Sequence, residues 1–563
     1  MAAQLSSAGI HSPADVSATS LAKLAKVGPV RAGRLFSSFL AAEPIYELVE
    51  LMLQAGLDVR LARRVTDALG PPAPRLVRDD PWLLLTIAGI TVDDCDRVAR
   101  AALGEVRRDD PRRGRGLVGY VLSQEAASGH TVTPASMVMD ALAQFGVGDV
   151  VAAVVAAVAA EVVVELDPVE HLLALARYAE AEQTIANGLA RLRSAAEPIN
   201  GKSGKLPSLD AAQQAAVTAA LAGGVSVLTG GPGTGKSRTV AAVRTLAIRA
   251  GLQVALAAPT GRAAKRLEEL CDAPASTLHR LLGAQPRTDG DEISFSAAFA
   301  RGAGWPLDED VVVVDEASML DVELAAALLS ACADGTHLLL VGDAAQLPSI
   351  GAGRVLGDLI DADVVPVTHL RTLYRQAEGG AIARLATSVR DGQLPPVPED
   401  PTREVVVVPA RDSVDASRRV VQLVTDSIPR ALGMDTDQIQ VVTPVHRGPA
   451  GTLALNAALK ARLNPGRSGT RFDVGDRVVA TANHLDAEPA GYANGEVGVV
   501  VGVAGATVTV EFASGPAEVR GRALADLAHG WAITVHRAQG SEFPAVVVVL
   551  PADAGGMLSR PLV

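Results

Sequence analysis

The sequence predicts an α/β fold built on parallel sheets, entered through a helical N-terminal region. Three observations predict it. Short Val-rich runs at 225–229, 254–257, 311–314, 338–341, 405–408, 440–443 and 545–550 alternate with helical patterns, the signature of βαβ units. Before residue 199, apolar residues instead recur at three- and four-residue spacing. Between 472 and 519, strands such as "EVGVVVGV" and "TVTVEF" follow one another with no helix between them, which predicts a small β-barrel inserted in the α/β frame.

Composition bounds the chain further. At 563 residues it has room for several cores, and the usual domain size suggests roughly three to five domains. Apolar residues make up 48%, which excludes wholesale disorder. The longest candidate membrane span, 147–164, is interrupted by Gly148, Asp149 and Glu161, and no basic-then-apolar secretion signal opens the chain. A cytoplasmic protein without membrane contact is therefore expected. Cys95, Cys271 and Cys332 stand alone, with no CxxC pair to suggest a disulfide framework or a zinc site. The net charge of −12 is the wrong sign for a chain that coats nucleic acid non-specifically. Through Tyr120 there are 16 Lys and Arg against 14 Asp and Glu, so this part carries +2 and the remainder −14. Any nucleic-acid contact must come from individually placed residues.

Residues 1–120 read as short helices joined by glycine-centred turns. In "LAKLAKVGPVRAGRLF" the turn Val27-Gly28-Pro29, with Arg31 and Arg34, either holds a DNA phosphate or simply joins packed helices. "PWLLLTIAGITVDDCDRVARAAL" has the same plan, but Asp93, Asp94 and Asp96 follow its turn and weaken a phosphate role. Residues 121–198 stay helical, with Ala-rich faces. "INGKSGKLPS", 199–208, reads as a linker.

"VSVLTGGPGTGKSRTV" then places a strand, Gly230-x-x-x-x-Gly235-Lys236-Ser237 and a helix in succession, the context that identifies a phosphate-binding loop. Its glycines let backbone N–H groups converge on phosphates, Lys236 offers its charge to the β and γ oxygens, and Ser237 can ligate Mg²⁺. The nucleotide-binding stretch thus comprises Gly231, Pro232, Gly233, Thr234, Gly235, Lys236, Ser237 and Arg238. In "VVVVDEASMLD" a strand delivers Asp315 and Glu316 to its C-terminal end, where open α/β sheets bind ligands. Asp315 would hold Mg²⁺ through water, and Glu316 would orient and deprotonate the attacking water. Two adjacent acids after a strand can also cap the following helix. In "LLLVGDAAQLPSIGAG", Gln346 is placed to reach the γ-phosphate.

The ordered set "GGPGTGKS", "APTGRAAKRL", "VVDEASMLD", "GDAAQLPSIGAG", "LYRQ", "VVTPVHRGPAGTLALNAAL", "GYANGEVGVV" and "TVHRAQGSEF" resembles the RecD-like branch of superfamily-one DNA helicases. The resemblance spans roughly 209–563, and the glycine-turn helices and "GLVGYVLSQEAASGHTVTP" extend it to the helix-hairpin-helix region of the long, stand-alone members. It implies two RecA-like lobes with ATP between them: lobe one at 209–365 and lobe two at 366–563, the latter carrying the barrel insertion at about 471–528. It also implies that Gln213 contacts adenine, that Arg375 is an arginine finger, and that Pro259, Thr260, Gly261 and Arg262 touch the DNA strand from lobe one. From lobe two the strand contacts would be Thr443, Pro444, His446, Arg447, Asn494, Gly495, Thr534, His536, Gln539, Gly540 and Ser541, with Glu542 beside them. Taken alone, Arg375 also fits a surface ion pair, and the polar cluster 534–542 fits a solvated turn. The segment at about 285–310 fits either a duplex-splitting hairpin or an irregular loop.

The implied activity is an ATP- and Mg²⁺-dependent 5′→3′ DNA helicase of repair or recombination, acting as a monomer on single strands and duplex junctions. After "GGMLSRPLV" the chain stops, whereas relatives of this kind continue into "YTALTRA"-like residues whose arginine makes a second γ-phosphate contact. Arg560 comes too early in the order to replace it. The expectation is thus a C-terminally incomplete lobe two with one recognisable arginine finger, which keeps two alternatives open: a nucleotide-gated single-strand binder that does not unwind, and an RNA helicase.

Overall fold

In a computed structural model, the structure describes residues 8, 10, 15–24, 27–41, 43–167, 169–199, 209–231, 233–284, 299–372, 380–390, 392–393, 404–466, 471–484, 487–559 and 562. Residues 200–208 of the expected linker, Pro232, Arg375 with the rest of "LYRQ", residues 285–298 of the hairpin segment, and Arg560 lie outside them. The chain forms two compact units, one built on residues 1–180 and the other on 181–285 with 298–563.

The first unit is a stack of short helices around Trp82, Leu84, Leu117 and Leu142. Buried Arg113 forks onto both carboxylate oxygens of Asp96, at 3.0 and 3.1 Å, while the Trp82 indole donates to the same carboxylate. The acids after the Gly89 turn are thus structural: Asp94 closes a capping box with Thr91, and Asp96 anchors Arg113. Arg31 and Arg34, on helix Pro29–Ala41, are exposed.

The 121–198 segment differs from the wholly helical reading. Strands β1 (Val132–Pro134), β2 (Val163–Asp167) and β3 (Leu172–Leu175) form an antiparallel sheet in the order β1-β3-β2. The β-branched run "VVVELD" pairs with the Leu-rich return strand, and that pairing overrides the Ala-rich helical pattern around it. The boundary at 198 also shifts. Leu189 and Leu192, on helix Ala176–Ala195, pack into the core of the first α/β lobe, and Arg191 donates to the carbonyls of Leu329 (2.7 Å) and Cys332 (2.8 Å).

That lobe is a six-stranded parallel sheet of β4 (Val225–Gly230), β5 (Val254–Ala258), β6 (Ser276–Thr277), β7 (Val311–Val314), β8 (His337–Gly342) and β9 (Val367–Leu370), in the order β6-β5-β7-β8-β4-β9. Helices cover both faces, so β4, β7 and β8 are buried on both sides, which is why they read as unbroken apolar runs. β9 pairs with β4, so the lobe runs past residue 365 and includes 367–370.

In the second lobe, β10 (Ile439–Thr443) lies in parallel between two later strands. Before these the chain makes β11 (Arg477–Ala480), β12 (Val497–Ala504), β13 (Thr507–Phe512), β14 (Gly515–Arg520) and β15 (Leu527–His529), an antiparallel sheet in the order β14-β13-β12-β11-β15 around Phe472, Tyr492 and Phe512. β16 (Ala532–Thr534) and β17 (Ala545–Val548) then flank β10. The strand expected at 405–408 does not form among the described residues. Its valines have no cover, Val406 and Val407 being 62% and 64% exposed, and without a buried face there is little to favour a strand.

Candidate nucleotide site and strand interface

The nucleotide site grows from the carboxyl edge of the first lobe. After β4, Gly233 and Gly235 take φ of +79° and +86°, a left-handed bend open to glycine, and helix Lys236–Arg249 starts at once with its N–H groups facing the loop. Gly230 has no room for a side chain: a Cβ there would stand 2.7 Å from the Leu370 carbonyl oxygen and from Thr234 Oγ1. Buried Thr234 braces the loop by donating to the Gly231 carbonyl at 2.8 Å. The Lys236 ammonium donates back to the Gly230 and Gly231 carbonyls, at 2.5 and 3.2 Å. A phosphate oxygen is the stronger partner for that ammonium, because its charge assists the bond. Ser237 is half-buried in the first turn, and Arg238 is exposed.

β7 carries Asp315 and Glu316 to the same edge. The Glu316 N–H donates to Asp315 Oδ1 at 2.9 Å, and Glu316 takes φ of +52°, uncommon for a residue with a side chain. Burial pushes both carboxyls up, and the Asp315 charge raises Glu316 further, while Lys236 and Arg266 oppose the rise at both acids. The Ser237 hydroxyl and the Asp315 carboxylate are oxygen donors of the kind a hard divalent cation takes.

β8 delivers an acid that sequence reading passed over. Asp343 is buried, and its Oδ2 lies 4.0 Å from where a Cβ on Gly231 would sit. Gln346 donates to this oxygen at 3.4 Å, so its amide is turned onto Asp343. The signal was present: "LLLVGD" repeats the strand-then-acid pattern of "VVVVDE". Gln213 is fully buried, its Oε1 accepting from the Asp210 N–H at 3.1 Å in a capping box. Its Nε2 has no partner among the described residues.

The lobes meet along helix Gly261–Cys271, which Thr260 caps by accepting from the Ala263 N–H at 3.2 Å. Pro259 precedes the cap and is half-buried. Contact with lobe two is close: a Cβ on Gly261 would stand 2.5 Å from the Ala493 Cβ, and one on Gly540 would stand 3.8 Å from the Ala263 Cβ. Arg262 donates to Ser541 Oγ and lies 5.8 Å from the Phe543 ring centre. Arg266 pairs with Glu542, and Lys265 donates to the Ala513 carbonyl at 2.5 Å.

Several residues expected on the strand are engaged within the protein. Arg262 and Ser541, expected on DNA, are bonded to each other across the interface. Thr443 and Pro444 are buried, and the Thr443 hydroxyl donates to the Ala450 carbonyl at 2.9 Å, so it braces the loop after β10 rather than facing a strand. Gly495 is buried at φ +84°, shaping the turn that exposes Asn494. His446 and Arg447 are exposed, with His446 Nδ1 2.6 Å from Thr452 Oγ1. Thr534 caps helix Val535–Ala538, accepting from the Arg537 N–H at 3.4 Å. His536 is half-buried, and burial pushes its pKa down. Gln539 Oε1 is buried without a partner among the described residues.

Comparison with known proteins places these parts. Residues 41–132 match the ATP-dependent RecD2 DNA helicase HHH domain, 208–405 an AAA domain, and 529–563 the UvrD-like helicase C-terminal domain. The chain is 33% identical to the ATP-dependent RecD2 DNA helicase of Deinococcus radiodurans, over 98% of this chain and 82% of that one. It is also 33% identical to the RecBCD enzyme subunit RecD of Mycobacterium tuberculosis, over 70% of this chain and 74% of that one. Among solved structures, Bacteroides Pif1 bound to ssDNA is 18% identical, covering 63% of this chain and 90% of that one with a TM-score of 0.35. With near-complete overlap to RecD2 and a phosphate loop and acid pair at one sheet edge, the chain belongs to the RecD-like family of superfamily-one ATP-dependent DNA helicases.

Proposed function

We propose that this chain is a 5′→3′ single-strand translocase that unwinds duplex DNA in repair or recombination, working as a monomer at junctions. One observation carries the reading. The helix that follows β5 at the nucleotide edge is also the helix that Ser541 and Glu542 grip from the other lobe. Closure on ATP and movement of the strand-contacting segment therefore share one rigid element.

In this reading the loop from Gly231 to Arg238 and Lys236 hold the phosphates, and Gln213 Nε2 reads the adenine. Ser237 and Asp315 hold Mg²⁺, which when bound offsets phosphate charge. Glu316 positions and deprotonates the water, its burial raising its basicity. Gln346, with Asp343, senses the γ-phosphate, and Arg375 completes the charge stabilisation from lobe two. His446, Arg447, Asn494, Thr534 and His536 grip the strand without sequence preference. The segment at 285–310 serves as the splitting pin, the antiparallel sheet at 471–528 as a barrel clamping the strand, and the Gly28 turn as a phosphate contact on the duplex.

The test is ATP hydrolysis with and without oligo-dT, followed by unwinding of duplexes carrying only a 5′ or only a 3′ single-stranded tail. DNA-stimulated turnover with unwinding of the 5′-tailed substrate alone is expected. Unwinding from the 3′ tail overturns the polarity, faster unwinding of RNA overturns the substrate, and ATP-dependent strand binding without unwinding leaves a nucleotide-gated binder.

A further inference from the structure

We propose that a cavity of about 560 Å³ in the second lobe is a subsite for one nucleotide unit, with the base inside and its phosphate on Arg537. The cavity lies between helix Thr452–Leu463 and strands β11, β15 and β16, beside the strand contacts described above, and the inference rests on that strand reading. Its volume falls in the range of small-ligand pockets. Leu453, Ala457, Val479 and Ile533 give it apolar walls, and among the described residues no Asp or Glu lines it. His529, also on the wall, stacks on Trp531 at 5.5 Å between ring centres and 17° between planes, so an aromatic ledge borders the space where a base would lie.

The cations around the cavity differ in their commitments. The Lys460 ammonium is held by Asp473 at 2.9 Å and Asp476 at 2.5 Å. Arg471 donates to the carbonyls of Leu524 (3.0 Å) and Leu527 (2.7 Å). Arg537 is half-buried, and its guanidinium has no partner among the described residues. Burial alone pushes its pKa down, with no neighbouring charge contributing. A desolvated cation without a counter-ion is unfavourable, and a guanidinium fork fits phosphate in particular. An apolar, aromatic-edged space with one uncommitted fork matches a nucleoside phosphate, whether a unit of the bound strand or a free nucleotide.

The experiment uses the full chain, with wild type compared to Arg537→Ala, Arg537→Lys and Ala457→Phe. Ala457 is exposed at the cavity wall, so a phenylalanine there fills the space without entering the core. Oligo-dT carrying 5-iodo-deoxyuridine is photo-crosslinked and the peptides mapped. Binding of oligo-dT and of dTMP is measured by anisotropy and calorimetry, and thermal unfolding shows that each variant is folded. Crosslinks on the 528–537 or 452–461 segments are expected. Arg537→Ala and Ala457→Phe should each weaken oligo-dT binding on the order of tenfold, with partial recovery in Arg537→Lys. Loss of dTMP binding alone, with oligo-dT binding intact, assigns the cavity to a free nucleotide. Folded variants that bind both ligands like wild type overturn the subsite, as does weakened binding with no crosslink in the cavity. A wild-type chain that binds no oligo-dT sinks the strand reading instead, and the dTMP arm then decides the cavity by itself.

Discussion

At the scale of the residue, the nucleotide site is a set of groups held away from their preferred partners. Lys236 rests on two loop carbonyls, Gln213 Nε2 is buried with no acceptor among the described residues, and Glu316 is desolvated in a left-handed backbone. In the proposed function, a bound nucleotide and its attacking water supply what each lacks. Lys236→Ala should lower DNA-stimulated ATP turnover on the order of a hundredfold or more, read by steady-state hydrolysis. Glu316→Gln should keep ATP affinity within a few-fold while the single-turnover rate drops by roughly 10²- to 10⁴-fold. An unchanged rate would remove Glu316 from the chemistry. Gln213→Ala should raise KM for ATP more than for GTP, and equal shifts would show that Gln213 acts only through its cap with Asp210.

At the scale of the element, helix Gly261–Cys271 is the connecting part. Its first turn leaves no room against Ala493, and its arginines reach Ser541 and Glu542. Burial raises the pKa of Asp315 and Glu316, and Arg266 opposes that rise at both, so one side chain is felt at the acid pair while paired with lobe two. The ion pair is largely exposed, and its contribution to stability should be small. Its effect should appear in coupling instead. In a double-mutant cycle with Arg266→Ala and Glu542→Ala, stimulation by oligo-dT should fall several-fold, and the two effects should not add. Full additivity would mean that the contact does not carry the signal. Gly261→Val should likewise reduce stimulation, because the added carbons meet Ala493.

At the scale of the whole molecule, the unit built on residues 1–180 and the unit built on 181–285 with 298–563 have separate cores, one around Trp82 and Leu117 and the other around the parallel sheet. Calorimetry should therefore resolve more than one transition. ADP at about a hundred times its Kd adds about 2.7 kcal/mol to the unit that binds it. It should raise the transition that contains the phosphate loop and leave that of residues 1–180 in place. A uniform upward shift would mean that the units unfold as one.

Much of this organisation was legible in the chain because it depends on local chemistry. The phosphate loop, the strand-borne acids and the buried valine runs are written in consecutive residues, since loop curvature needs glycine and a two-sided buried strand needs unbroken apolar residues. Thr443 could not be read as buried, nor Arg262 as bonded to Ser541, because both depend on segments far apart in sequence. The small sheet at 132–175 was hidden for the same reason, as its strands gain stability only from each other. That the Arg537 guanidinium has no partner among the described residues is likewise visible only in three dimensions, because the acids that engage Lys460 and the carbonyls that engage Arg471 come from other segments. The sequence by itself determined the chemistry, the motif order and the parallel-sheet class. Tertiary structure decided which polar groups engage one another and which remain for a ligand, because burial and pairing are properties of packed neighbours.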